Sequence, residues 1–306
     1  MKLSRSLGGE YLILIFFSLF AIRGKAQFKF MNLIKLKGDT IVNTYLVTED
    51  PKVGSTYIDI LSKYWTFSKV RVITSDRIRE TDTSRSCVFR LVKRIYNVYS
   101  KDKGYVDSFS DIYLNLTYGE NYIMRFGLCC SLSYELGYRW DTIHPTFHST
   151  PQYDWSPGLL KNYIQAAVNY INNWKLIKPS KKIAQKEQLK KLRDDTLYIP
   201  DYLLFAYKRD FGAKSGILYS EQKEDIAAVM QDYKYRYRFI KSDELNKMLL
   251  DSSKHIYYMI GHYNTIRGAI SIIDSQSGDI LYSAHKRRYG LRQMEVNKIQ
   301  KIIAGS

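Results

Sequence analysis

Two periods of hydrophobic and polar residues alternate along this chain. Stretches with apolar residues at every second position predict strands, and stretches with apolar residues three and four apart predict helices. Residues 40–47 predict an opening strand. Ile58, Leu61 and Trp65 give an apolar face to a helix capped by Ser55 and running through Tyr64. Residues 69–74 alternate as a strand, and Ser75 and Asp76 predict the cap of a short helical turn. Three more strands follow over residues 87–96, 105–116 and 121–132, the last two joined by a turn through Gly119. Residues 137–157 hold Pro145, Pro151 and Pro157 and read as a loop. Pro157 suits the first position of a helix, which continues to Trp174 on Leu160, Ile164, Ala167, Val168 and Ile171.

The second half runs in the same order. Residues 196–199 open as a strand that Pro200 limits, and 202–211 extend it or form a short helix. A helix is expected from Ser220 to Tyr233, a strand over 235–240, a helix capped by Asp243 to Leu250, and a strand over 254–263. Residues 268–273 and 279–285 flank the turn Ser275-Gln276-Ser277-Gly278 as a hairpin, and 294–303 close as a helix. Val70-Arg71-Val72-Ile73-Thr74-Ser75-Asp76-Arg77-Ile78 aligns without gaps on Tyr237-Arg238-Phe239-Ile240-Lys241-Ser242-Asp243-Glu244-Leu245. Each half therefore reads β-α-β-α-β-β-β-α, and the fold class expected is α+β: two tandem repeats, each a mixed sheet with helices packed on one face. The expected divisions are residues 1–26 as a leader, 27–176 as the first repeat, 177–195 as a basic linker helical through 185–192, and 196–306 as the second repeat.

The run from Ile272 to Ala284, with Asp274, Ser277-Gly278 and Ile280-Leu281-Tyr282-Ser283, resembles the late hairpin of TolB amino-terminal and curli-assembly (CsgG-like) envelope domains. The resemblance extends over about residues 196–303 in the order of elements. It implies a periplasmic binding or assembly module, and it carries no catalytic residue onto this chain. The first half departs from it at the Gly119 turn and in the loop that follows.

The first residues read as an export signal. Lys2 and Arg5 precede an apolar run over 11–22, and Gly24 and Ala26 place small residues at the cleavage positions before Gln27. The apolar run falls short of the roughly 20 residues that span a bilayer. The Ala26-Gln27 junction resembles signal ends of Bacteroidetes-type bacteria. Formal charge is +17, of which the leader carries Lys2, Arg5, Arg23 and Lys25 against Glu10. Removing that net +3 leaves about +14 on the exported chain. The excess is scattered rather than clustered, so it fits general attraction to anionic polymers and marks no specific nucleic-acid site.

Candidate chemistry is sparse. His144 and His148, with Asp141 nearby, form the densest group of metal-ligating types, but Pro145 disfavours the helix that would bring the pair to one face. Cys129 and Cys130 are adjacent, so only one can share a strand face with Cys87. A bridge from Cys87 to one of them is the alternative to buried free thiols. There is no Gly-x-Ser-x-Gly elbow and no phosphate-loop motif. Asn115-Leu116-Thr117 matches a glycosylation triplet inside an expected strand. These patterns predict an exported, non-catalytic binding or assembly protein of the cell envelope, in the periplasm or outside the cell. Its expected partner is an envelope protein or an anionic polymer, with no cofactor and no transmembrane segment after cleavage. The alternatives are a hydrolase or metal enzyme using the His144/His148 loop, or a polyanion binder.

Overall fold

The computed structural model describes residues 28–30, 41–48, 51–100, 104–119, 121–127, 157–172, 182–210, 218–223, 225–263, 268–286 and 291–305. The expected leader therefore lies outside the described residues. The first half comprises β1 (Phe28–Phe30), β2 (Asn43–Val47), α1 (Pro51–Tyr64), β3 (Val70–Ile73), α2 (Ser75–Glu80), β4 (Ser86–Ser100), β5 (Gly104–Tyr118), β6 (Asn121–Gly127) and α3 (Pro157–Asn172). Its sheet has the order β1-β6-β5-β4-β2-β3. Strand β2 is parallel to both β3 and β4, and the other pairs are antiparallel.

The second half begins with β7 (Lys182–Ala184) and α4 (Lys186–Leu189), which tightens into a 3-10 turn at Lys190–Arg193. Strand β8 (Leu197–Pro200) and a 3-10 turn at Asp201–Leu204 precede a separate hairpin of β9 (Phe205–Asp210) and β10 (Leu218–Lys223). Then come α5 (Ile226–Met230), β11 (Tyr237–Ile240), α6 (Ser242–Leu250), β12 (Tyr257–Tyr263), β13 (Gly268–Asp274), β14 (Ile280–Lys286) and α7 (Gln293–Ala304). The second large sheet has the order β11-β8-β12-β13-β14-β7. The protein is thus α+β with two mixed six-stranded sheets. From its parallel edge, each sheet runs as outer strand, central strand, then a three-stranded meander, closed by a short antiparallel strand that precedes the central strand in sequence.

The crossovers decide where the helices lie. The β2-to-β3 and β3-to-β4 connections travel in opposite directions across the sheet, and right-handed crossovers then place their helices on opposite faces. Leu61 of α1 and Trp65 just after it pack with Leu46, Val70 and Phe89, whereas Ile78 of α2 packs with Tyr45, Val47 and Val88 on the other face. Packing of all helices on one face, the expectation from element order alone, does not describe this sheet. Trp65 is pinned as well as packed. Its indole N–H donates to Thr44 Oγ1 at 2.7 Å, and its ring meets Phe89 edge-on at 5.1 Å.

Helix α3 joins the halves. Its Leu160, Ile164 and Ala167 belong to one continuous core that includes Leu46 and Phe89 of the first sheet and Tyr258 and Ile273 of the second. Its polar residues engage the second half too. Asn162 Nδ2 donates to Ser275 O at 2.8 Å, Asn169 Nδ2 to Ser277 O at 3.0 Å, and Gly158 N to Asn246 Oδ1 at 2.9 Å. Buried Lys161 donates to the carbonyl of Leu249 at 2.7 Å, near the end of α6, where a cation complements the helix dipole. Burial, and then nearby Lys63, hold that amine below the ordinary lysine value.

Other differences from the sequence expectation are local. Helix α1 starts at Pro51, a residue suited to a first turn, rather than at Ser55. Thr74 and Lys241 hold the N-cap positions of α2 and α6, which moves Asp76 and Asp243 into the first turn. Residues 218–223 pair as β10 instead of opening a helix, because Asp225 supplies the cap: its carboxylate accepts from Ala227 N at 3.0 Å. The stretch 177–195 is more than a connection. Within it β7 pairs with β14, and Leu189 and Leu192 are buried among Lys and Arg neighbours whose charge disguised them. Among the described residues no helix is long and apolar enough to cross a membrane.

Candidate functional site

Two grooves of nearly equal volume lie beside the outer parallel pair of each sheet, about 620 Å³ on the first and about 610 Å³ on the second. The first is lined by Tyr45 of β2, by Arg71 and Val72 of β3, and by Thr74, Asp76 and Arg77 at the start of α2. The second is lined by Tyr198 of β8, by Arg238 of β11, and by Glu244, Lys247 and Met248 of α6. In each, the Tyr and the Arg are register partners across a parallel pair, Tyr45 with Arg71 and Tyr198 with Arg238. The second groove runs along α6 to residues 254–256, which lead into β12, whereas the first arises where β3 leaves the sheet and turns into α2, at the strand's carboxyl end. Open sheets commonly hold ligands in such crevices.

The local chemistry differs between the two. In the second groove the Arg238 guanidinium donates to Glu244 Oε1 at 2.7 Å, so the positive charge is answered from within the chain. The gap-free alignment puts Arg77 where Glu244 stands, and the first groove holds two guanidiniums. Its carboxylate, Asp76, is held to its own helix: a hydrogen bond from Thr74 and another from the Arg77 backbone keep it below the ordinary aspartate value. Beneath both grooves the helix anchor is the same, with Ile78 and Leu245 buried at aligned positions. At the far side of the second groove His255 Nε2 lies 3.1 Å from Asp274 Oδ2, and the rings of His255 and Tyr257 are 4.8 Å apart.

The candidates named from sequence fall elsewhere. Asp141, His144 and His148 lie outside the described residues, as do Cys129 and Cys130. Among the described residues no group of three or more His, Cys, Asp or Glu is placed to hold a metal. Cys87 is a buried free thiol whose pKa burial pushes up to about 12, which makes it a packing residue and a poor nucleophile. Asn115 is buried within β5, so its triplet offers no accessible acceptor for a sugar. The groove residues were missed as a site because no motif marks them. The signal that would have found them is the aligned Arg71/Arg238 pair, followed six positions on by residues of opposite charge, Arg77 and Glu244.

No protein-family model matches the chain, and neither a curated protein nor a solved structure is significantly similar to it.

Proposed function

We propose that this is an exported, non-catalytic binding protein of the cell envelope, built from two copies of one α+β unit. The observation that carries the reading is the pair of grooves beside the outer parallel strands, each lined by an equivalent Tyr–Arg register pair. A copied unit that keeps its groove while changing the charge around it is the expected product of divergence in what is bound. The equal connection order of the two sheets supports the copying. Export draws on the basic, apolar and small-residue segments before Gln27. The envelope setting draws on the resemblance of the Ile272 to Ala284 hairpin to TolB-type and curli-assembly domains.

The test is expression of the full chain in a Gram-negative host, followed by fractionation and amino-terminal sequencing. The reading predicts a product that begins at Gln27 in the periplasm or the medium. A chain that keeps Met1 and stays in the cytosol rejects export. Turnover of ester, glycoside or phosphoester substrates that disappears in Arg71→Ala would replace binding with catalysis.

A further inference from the structure

We infer that the groove of the first sheet binds a carboxylate carried by an extended acidic peptide, which adds as a strand along the open edge of β3. This deepens the binding reading above and rests on it. The starting point is the second groove, where the chain supplies its own ligand for the arginine: Glu244, six positions after Arg238, at 2.7 Å. The first groove has the same strand register, the same six-residue spacing and the same buried helix anchor. Arg77 in place of Glu244 removes the internal carboxylate and adds a second cation. Arg71 and Arg77 are both exposed, and neither forms an ion pair at salt-bridge distance with a carboxylate among the described residues. Asp76, whose charge also attracts Arg77, offsets only one of the two guanidinium charges and leaves the pair of arginines in excess. A carboxylate from outside the chain would take the place that Glu244 fills in the second half, and arginine forks suit that group geometrically.

The sheet edge specifies a peptide. Among the described residues, strand β3 is the outermost strand of its sheet. Thr44 N bonds to Lys69 O at 3.1 Å and Thr48 N to Ile73 O at 3.1 Å, so residues 69, 71 and 73 turn their backbone groups toward β2. By alternation the N–H and C=O of Val72 point to the open edge, and its side chain is 39% exposed. An added strand would hydrogen-bond there, with side chains alternating between the sheet's two faces. On one face they would lie beside Arg71, and on the other beside Val72. The ligand favoured is therefore an extended segment in which acidic and apolar residues alternate.

The experiment uses the purified full chain and a fluorescein-labelled hexapeptide of alternating valine and glutamate. Its glutamine counterpart and polygalacturonate serve as comparisons, read by fluorescence anisotropy. The glutamate peptide is expected to bind at least tenfold more tightly than the glutamine peptide, with affinity falling as salt rises. Arg77→Glu, which gives the first groove the residue type of the second, should weaken binding at least tenfold while the melting temperature stays within a few degrees of wild type. Arg71→Ala supplies an independent second variant with the same expected loss. Equal binding of the two peptides, or undiminished binding to Arg77→Glu, overturns the inference. Binding of polygalacturonate without the peptide overturns the peptide class. A chain that binds the glutamate peptide yet is never exported counts against the export reading alone. One that is exported and binds neither peptide counts against this inference alone.

Discussion

The hydroxyl of Tyr258 donates to Asn162 Oδ1 at 2.9 Å, joining the second sheet to the helix that follows the first, across 96 positions of chain. Asn162 is itself buried and donates onward to Ser275 O at 2.8 Å and Gln165 Oε1 at 2.7 Å. One amide thus satisfies several polar groups at the seam between the halves, where a missing partner is costly.

Asn162→Ala removes the buried amide that bonds the Tyr258 hydroxyl and the Ser275 carbonyl. A stability loss of about 1–3 kcal/mol is expected. Because the core is continuous through α3, urea unfolding of wild type should give one transition by both tyrosine fluorescence and far-UV dichroism. Two separated transitions would mean that the halves fold independently.

The same seam is closed by glycine. A Cβ at Gly158 would stand 2.6 Å from Leu249 Cβ and 2.9 Å from Asn246 O, closer than real side chains pack. Gly158→Ala gains helix propensity but must push α3 away from α6. We expect a net loss of about 1–3 kcal/mol, measured by the urea midpoint. A stabilised variant would show that the two helices are not in close contact in solution.

Tyr282 illustrates an opposite case. Its ring is fully packed, yet its hydroxyl has no hydrogen-bond partner among the described residues. Burial, with Glu295 adding to it, pushes its pKa up to about 12. Removing a buried hydroxyl that makes no bond should be neutral or stabilising by about 1 kcal/mol in Tyr282→Phe. A loss larger than that in chemical denaturation would reveal a partner for this oxygen.

The buried acids also fix the alkaline limit. Cys87 rises to about 12 from an ordinary 9.0, and Tyr257 and Tyr282 to about 12 from 10.0, in each case first through burial. The folded state therefore holds protons that the unfolded chain releases. Stability from these groups is complete below pH 9 and falls as pH rises from 9 toward 12. Urea midpoints measured across this range should decline, with Cys87→Ala flattening the first part of the slope. A flat profile in wild type would place the thiol in contact with solvent.

The legible parts of this fold were those set by local pattern. The hairpin through Gly278 was predicted from its turn residues, and a φ of +75° at that glycine is the conformation the turn requires. The Gly119 turn followed for the same reason, with φ +54°. What sequence concealed depends on partners distant in the chain. The edge strand Lys182–Ala184 is three residues in a basic run, and only pairing with β14 makes it a strand. The face on which α2 packs depends on crossover direction, which no window of residues encodes. The grooves were half visible: the alignment set Arg71 against Arg238 and Arg77 against Glu244, but only the strand register brings Tyr45 and Tyr198 beneath them.

The central claim is that positions 71 and 77 of the first groove stand as Arg238 and Glu244 do in the second, with different charge, and a double-mutant cycle on the first groove tests it without any ligand. Wild type, Arg71→Ala, Arg77→Glu and the double variant would be compared by urea unfolding. If Arg71 and residue 77 stand as Arg238 and Glu244 do, a glutamate at 77 should couple attractively to Arg71 by about 0.2–1 kcal/mol, screened by salt. A coupling of zero at low salt, in a cycle whose variants all fold, would contradict the equivalence.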